Sequence, residues 1–202
     1  MIKIIDYKAG NALSVLNAAL RLGCKADLAR RPEDLNGATH IILPGVGSAK
    51  ATMASLCEMG MIKALENSVL NKKTLFLGVC VGMQILFEYS EEEDAGCLGW
   101  LKGRVVKFDS ANVRVPQMGW NLVEFTKDPF GGIRHDYFYF VNSYYAKPDE
   151  LVLWGTAEYD GSFAAAICKD NIFATQFHIE KSGEAGLELL DSFLNFKEAD
   201  PC

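Results

Sequence analysis

The rhythm of apolar and polar positions changes half-way along the chain. In the first half, short apolar runs alternate with longer stretches in which large apolar residues recur at helical spacing. Ile2-Lys3-Ile4-Ile5 predicts a strand over 2–6. Gly10-Asn11 then turns the chain into a helix whose apolar face carries Leu13, Leu16 and Leu20, and Gly23 ends it. A second strand is expected over 24–29, a connecting segment over 32–37 and a third strand over 40–43. Helices over 49–59 and 61–70, split at Gly60, lead to a fourth strand over 74–77 and a further helix reaching about residue 89. This β-α-β alternation calls for a parallel sheet covered by helices. From Trp100 onward the pattern becomes β-rich. Runs over 104–108, 120–125, 137–146, 151–159, 163–169 and 173–177 are separated by Gly, Pro, Asp and Asn, which predicts antiparallel or mixed strands packed against the first sheet or continuing it. An amphipathic helix over 183–196, with Leu187, Leu190, Phe193 and Leu194 inward, closes the chain.

Composition narrows the class. The 202 residues suit one α/β domain, 1–202, with a substantial core. Half of them are hydrophobic, 23% are charged and the net charge is −6. No basic cluster interleaved with aromatics is visible, which argues against nucleic acid as a partner. No apolar run reaches membrane-spanning length, and no basic-then-apolar leader precedes Ile2. The six cysteines are scattered without a C-x-x-C pair, as expected of a reducing cytoplasm without a disulfide framework or a zinc site. Glu91-Glu92-Glu93-Asp94 reads as a solvated loop without chemistry.

One stretch carries the chemistry. Thr74 to Leu77 is a buried-strand run; Gly78-Val79-Cys80-Val81-Gly82 follows, then Met83-Gln84-Ile85-Leu86-Phe87. A reactive residue between two glycines, joining a strand to a helix, is a nucleophile elbow in its cysteine form. The glycines are required because a Cβ beside so sharp a turn would strike the strand or helix next to it. Cys80 is thereby lifted clear of the sheet, where helix N–H groups favour the thiolate. The N–H of Val81 would face an oxyanion formed beside it. A lone cysteine after an apolar strand is more often a small core residue, so the base decides the matter. Of only three histidines, His40 opens a strand, His135 lies in the loop Gly131-Gly132-Ile133-Arg134, and His178 ends the strand over 173–177. His178 is followed by Ile179 and Glu180, and a histidine at a strand end can face a cysteine at the same sheet edge while the glutamate orients its ring. Pro44-Gly45-Val46-Gly47-Ser48 follows the third strand at that edge, where open α/β sheets bind ligands.

These motifs, with Pro116-Gln117-Met118-Gly119-Trp120-Asn121, Tyr139-Phe140-Val141-Asn142-Ser143-Tyr144 and Gln176-Phe177-His178-Ile179-Glu180-Lys181-Ser182, resemble class I (triad) glutamine amidotransferases along nearly the whole chain. Within them the Met-Gly-Trp-Asn segment is most similar to the glutaminase subunits of imidazole glycerol-phosphate synthases. The resemblance implies a flavodoxin-like fold and a Cys80–His178–Glu180 triad that hydrolyses L-glutamine without a cofactor or metal. It implies an oxyanion hole of Val81 with Val46 and Gly47, and substrate contacts from Gly45, Gln84, Ser143 and Tyr144. It also implies a (β/α)₈-barrel cyclase as heterodimer partner, consuming the ammonia in histidine biosynthesis, with Asn121, Tyr139 and Lys181 at the interface. Three positions depart from the family pattern: Ile179 replaces proline, and Gln117 and Asn142 replace histidines. The last two leave open a paralogous glutaminase feeding another amidation pathway, such as sugar modification. A stand-alone cysteine hydrolase and a non-catalytic regulator are the remaining alternatives.

Overall fold

Strands buried on both faces are expected to be near-continuous apolar runs, and the two central strands of the first half come close to this. The computed structural model describes residues 1–8, 11–130 and 135–197. Gly10, the loop from Gly131 to Arg134 and Cys202, each used in the expectations above, lie outside them. β1 (Ile2–Ile5), β2 (Ala26–Ala29), β3 (His40–Gly45) and β4 (Leu75–Cys80) pair in parallel in the order β2-β1-β3-β4. Every residue of β3 and β4 is buried. α1 (Ala12–Arg21), α2 (Ala49–Glu58) and α3 (Met61–Glu66) connect them.

The second half does both things its pattern allowed. β8 (Gln117–Phe125), β9 (Asp136–Asn142), β11 (Leu153–Glu158), β12 (Ser162–Lys169) and β13 (Ile172–Thr175) extend the same sheet to nine strands, ending β4-β13-β12-β11-β8-β9. β13 alone among them runs parallel to its first-half neighbour, with Thr175 opposite Val79. β5 (Tyr89–Ser90), β6 (Ala95–Gly96), β7 (Gly103–Lys107) and β10 (Tyr144–Pro148) form a second, four-stranded sheet. The run predicted over 137–146 is therefore two strands, which part at Ser143 to join different sheets. α5 (Gly183–Asn195) closes the fold.

Three expectations about helices are corrected. The buried face of α1 is made of Ala12, Val15, Ala18 and Ala19, small residues that let the helix lie close to the sheet. Leu16 only flanks the core, whereas Leu13 and Leu20 are 64% and 50% exposed. Leu187 likewise is only half-buried; Gly186 and Leu189 join Leu190, Phe193 and Leu194 on the inner face of α5. The helix after the elbow, α4 (Val81–Gln84), is a single turn. Ile85, Leu86 and Phe87 are all fully buried, which no amphipathic helix achieves with consecutive residues. Their carbonyls accept the N–H groups of Leu98, Leu101 and Gly99 instead of continuing a helix. Cys24, Cys57, Cys80 and Cys97 are free thiols.

Candidate active site

The elbow forms because three backbones crowd together where only glycine fits. A Cβ on Gly78 would lie 2.5 Å from the Gly82 carbonyl oxygen, one on Gly45 2.5 Å from the Gly82 nitrogen, and one on Gly82 would overlap the Leu43 carbonyl. Gly45 is opposite Cys80 in the β3–β4 register, so it supports the elbow from behind and does not line the pocket. Cys80 has φ 55° and ψ −110°, outside the regions open to an ordinary side chain. Such strain persists only where the surroundings over-determine it.

β13 runs beside β4, so the chain leaving it carries His178 to the edge where Cys80 emerges. His178 Nδ1 bonds Glu180 Oε1 at 2.9 Å, and both side chains are buried. The same carboxylate oxygen accepts a 2.5 Å bond from Asn11 Nδ2. Asn11 is the N-cap of α1, but its amide serves Glu180 and not its own helix. Burial works against a charged imidazole, yet the hydrogen bonds and charges of Cys80 and Glu180 outweigh it and push His178 up to about 10. The ring beside Cys80 is thus held as imidazolium. Ile179 does not disturb this geometry. It is buried in the core, and the turn is held by Ser182 Oγ and the Lys181 N–H donating to the His178 carbonyl.

A cavity of about 290 Å³ opens onto Cys80 and His178. Val46, Gly47, Val81, Gln84, Ser143 and Tyr144, all picked out from sequence, line it. The phenol of buried Tyr7 stands 3.5 Å from Thr52 Oγ1, behind the loop that carries Val46. Gln84 donates both hydrogens of Nε2, to the Tyr144 carbonyl and to Gln176 Oε1, each at 3.0 Å, so it offers the cavity only its own oxygen. Glu92 also lines the cavity, which corrects the solvated-loop reading of the acidic run. Its carboxylate accepts the Ala49 N–H, and burial raises its proton affinity. The signal that could have found it is the short β5–β6 hairpin, which folds the acidic run back toward the start of α2; in sequence the run looks like any charged loop.

Lys181 borders both this cavity and a groove between α1 and α5. Tyr139 meets Trp120 edge-to-face at 6.0 Å, and its carbonyl accepts the His178 N–H. Asn121 is turned away, donating to the Glu158 carbonyl. Gln117 and Asn142, two of the departures from the family pattern, face each other across β8 and β9, both buried. His40 and His135 are elsewhere. His40 is clamped between Thr39 and the Phe196 carbonyl, and His135 accepts the Phe125 N–H.

The model for glutamine amidotransferase class-I domains matches residues 3–195. The chain belongs to the class I glutamine amidotransferases. Among amidotransferase relatives, the imidazole glycerol phosphate synthase subunit HisH 1 of Campylobacter jejuni (strain 81-176) is 46% identical over 96% of this chain and 98% of its own. The HisH subunit of Methanocaldococcus jannaschii is 44% identical over the same shares. Solved amidotransferase structures share the fold: a crystal structure of a glutamine amidotransferase superposes with TM-score 0.76 at 18% identity, covering 94% of this chain and 96% of its own. PurLQS from Thermotoga maritima matches equally well, with TM-score 0.76 at 18% identity over 96% and 97%.

Proposed function

We propose that this amidotransferase is the glutaminase subunit of an imidazole glycerol phosphate synthase, acting in histidine biosynthesis. Near-full-length identity to HisH subunits supports the pathway, and the observation that carries the chemistry is the Cys80–His178–Glu180 geometry at one sheet edge. Cys80 Sγ attacks the side-chain amide carbon of L-glutamine; the S–C bond forms and the oxyanion lies against the Val81 N–H. Val46 and Gly47 both line the cavity, and their N–H groups are the loop donors that complete the hole. Imidazolium gives its proton to the amide nitrogen as the C–N bond breaks, releasing ammonia and a glutamyl thioester. His178, now neutral, takes a proton from water as the water attacks the thioester. Glutamate leaves and the thiolate–imidazolium pair returns. Glu180 holds the ring in place throughout. Glu92 and the Gln84 oxygen receive the α-ammonium group of the substrate.

Ammonia passes to a (β/α)₈-barrel cyclase in the cytoplasm. No helix among the described residues is long and apolar enough to cross a membrane. The partner covers the outer strands β8 and β9, where Met118, Trp120 and Tyr137 are more than half exposed, together with Tyr139 and Lys181. Asn121 lies toward the β11 side of that strip. The deciding experiment is ammonia release from L-glutamine by the chain alone, with the cyclase, and with the cyclase carrying its nucleotide. Strong stimulation in the loaded complex, lost in Cys80→Ala, is the expected result. Undiminished release by Cys80→Ala would sink the reading.

A further inference from the structure

Gln176 is fully buried beside the nucleophile, and the mechanism above does not use it. A carboxamide in a core is costly unless its donors and acceptors are met. Here the backbone N–H of Gln176 bonds the Ala165 carbonyl, and Oε1 accepts from Gln84 Nε2 at 3.0 Å. The remaining end, Nε2, lies 3.6 Å from Cys80 Sγ with the geometry of a donor. The direction is set by the network. Gln84 presents only N–H to Gln176, because its amide is oriented by the Tyr144 carbonyl. Gln176 must therefore turn its oxygen to Gln84 and its NH₂ to the sulfur. A neutral thiol gains little from such a donor, whereas a thiolate that is only 4% exposed gains a charge-assisted hydrogen bond.

We propose that Gln176 is a further catalytic residue, which stabilises the Cys80 thiolate through its amide N–H and is held in that orientation by Gln84. The inference rests on Cys80 being the nucleophile of the glutaminase reading. It adds a second donor at Sγ beside His178, delivered along a chain running from the Tyr144 carbonyl through Gln84 and Gln176 to the sulfur. Two members of that chain, Gln84 and Tyr144, line the substrate cavity. Substrate held on the Gln84 oxygen therefore steadies the amide that faces the nucleophile.

The test is the rate of iodoacetamide alkylation across pH, read site by site by mass spectrometry on the full chain, with no glutamine or cyclase present. Exposed Cys57 is the internal reference. Cys97, which burial pushes up to about 11, reacts quickly only if the fold opens. In the unsubstituted protein Cys80 is expected to react faster than Cys57 below neutral pH. In Gln176→Glu the acceptor for Gln84 is kept and a carboxylate replaces the donor. The Cys80 rate at pH 7 should fall about tenfold, the scale of a hydrogen bond to a charged group, with the profile midpoint moved upward and Cys57 unchanged. A Gln176→Glu profile that coincides with the unsubstituted one overturns the proposal and leaves the nucleophile reading standing. Cys80 reacting no faster than Cys57 in the unsubstituted protein overturns both. Should fast Cys97 labelling reveal that Gln176→Glu is unfolded, Gln84→Leu carries the test. It releases the Gln176 amide and is expected to slow Cys80 about threefold; an unchanged rate there overturns the proposal equally.

Discussion

His178 is a base whose proton affinity is set by its neighbours. Burial alone would favour the neutral ring; Cys80 and Glu180 reverse this and push it up to about 10. The sign follows directly. Departing ammonia needs imidazolium, which persists until the pH rises through about 10 and not merely through the ordinary range near 6.5. kcat/KM is therefore expected to hold through mildly alkaline pH and to fall only as pH climbs past that value. A kcat/KM profile that already falls between about pH 7 and 8 would contradict this assignment. In the proposed function Glu92, which lines the same cavity, meets the other end of the substrate. Glu92→Gln keeps the bond from the Ala49 N–H but removes the charge that meets an ammonium group. An increase in KM of roughly tenfold, with kcat nearly unchanged, is the signature of a lost binding contact, and steady-state glutamine kinetics will show it.

At the scale of elements, the site depends on how closely β3, β4 and the single turn α4 can approach. Gly82→Ala places a methyl group on the Leu43 carbonyl. Because backbone cannot yield there as a flexible side chain would, we expect a loss of stability of about 2 kcal/mol or more, seen as a lower midpoint in urea. Gly47→Ala is the contrast, since nothing lies within 4 Å of a Cβ there and only its φ of 89° resists. β3 and β4 could be read from the sequence because they are buried along their whole length and so almost entirely apolar, and β1 because Lys3 alone interrupts its isoleucines. The elbow could be read because its glycines mark a steric need. The single-turn α4 could not. Its residues repeat at helical spacing, and only the distant segment carrying Leu98, Gly99 and Leu101, which binds the next three carbonyls, stops the helix. The α1 face was misread for a related reason. Size suggested that its leucines point inward, but close packing on the sheet favours alanine, and Leu13 and Leu20 remain outside. Asn11 and Glu92 reach the site through contacts far apart in sequence, which no local pattern encodes.

Across the whole molecule, the outer face of β8 and β9 connects to the catalytic loop through backbone. The Tyr139 carbonyl holds the His178 N–H, and Ser182 Oγ both accepts the Tyr139 N–H and donates to the His178 carbonyl. A partner resting on Trp120 and Tyr139 thus presses on strands fastened to the base. Trp120→Ala is expected to weaken the cyclase complex by about tenfold or more, as loss of an exposed aromatic anchor does. Glutamine hydrolysis without the cyclase should change little; titration calorimetry alongside an ammonia assay separates the two. The position of β13 has a consequence for biosynthesis. This strand enters the middle of the sheet, between β4 and β12, and carries Gln176, just past its end, to a nucleophile 96 positions earlier in the chain. While the ribosome is still making the second half, β4 is an apolar edge with no neighbour on that side, a template for pairing with another nascent chain. The thiol is likewise without its base for that time. The nascent protein is therefore inert as an enzyme and adhesive as a polymer until its last strand slots in, so shielding by a chaperone matters most during the interval between synthesis of β4 and synthesis of β13.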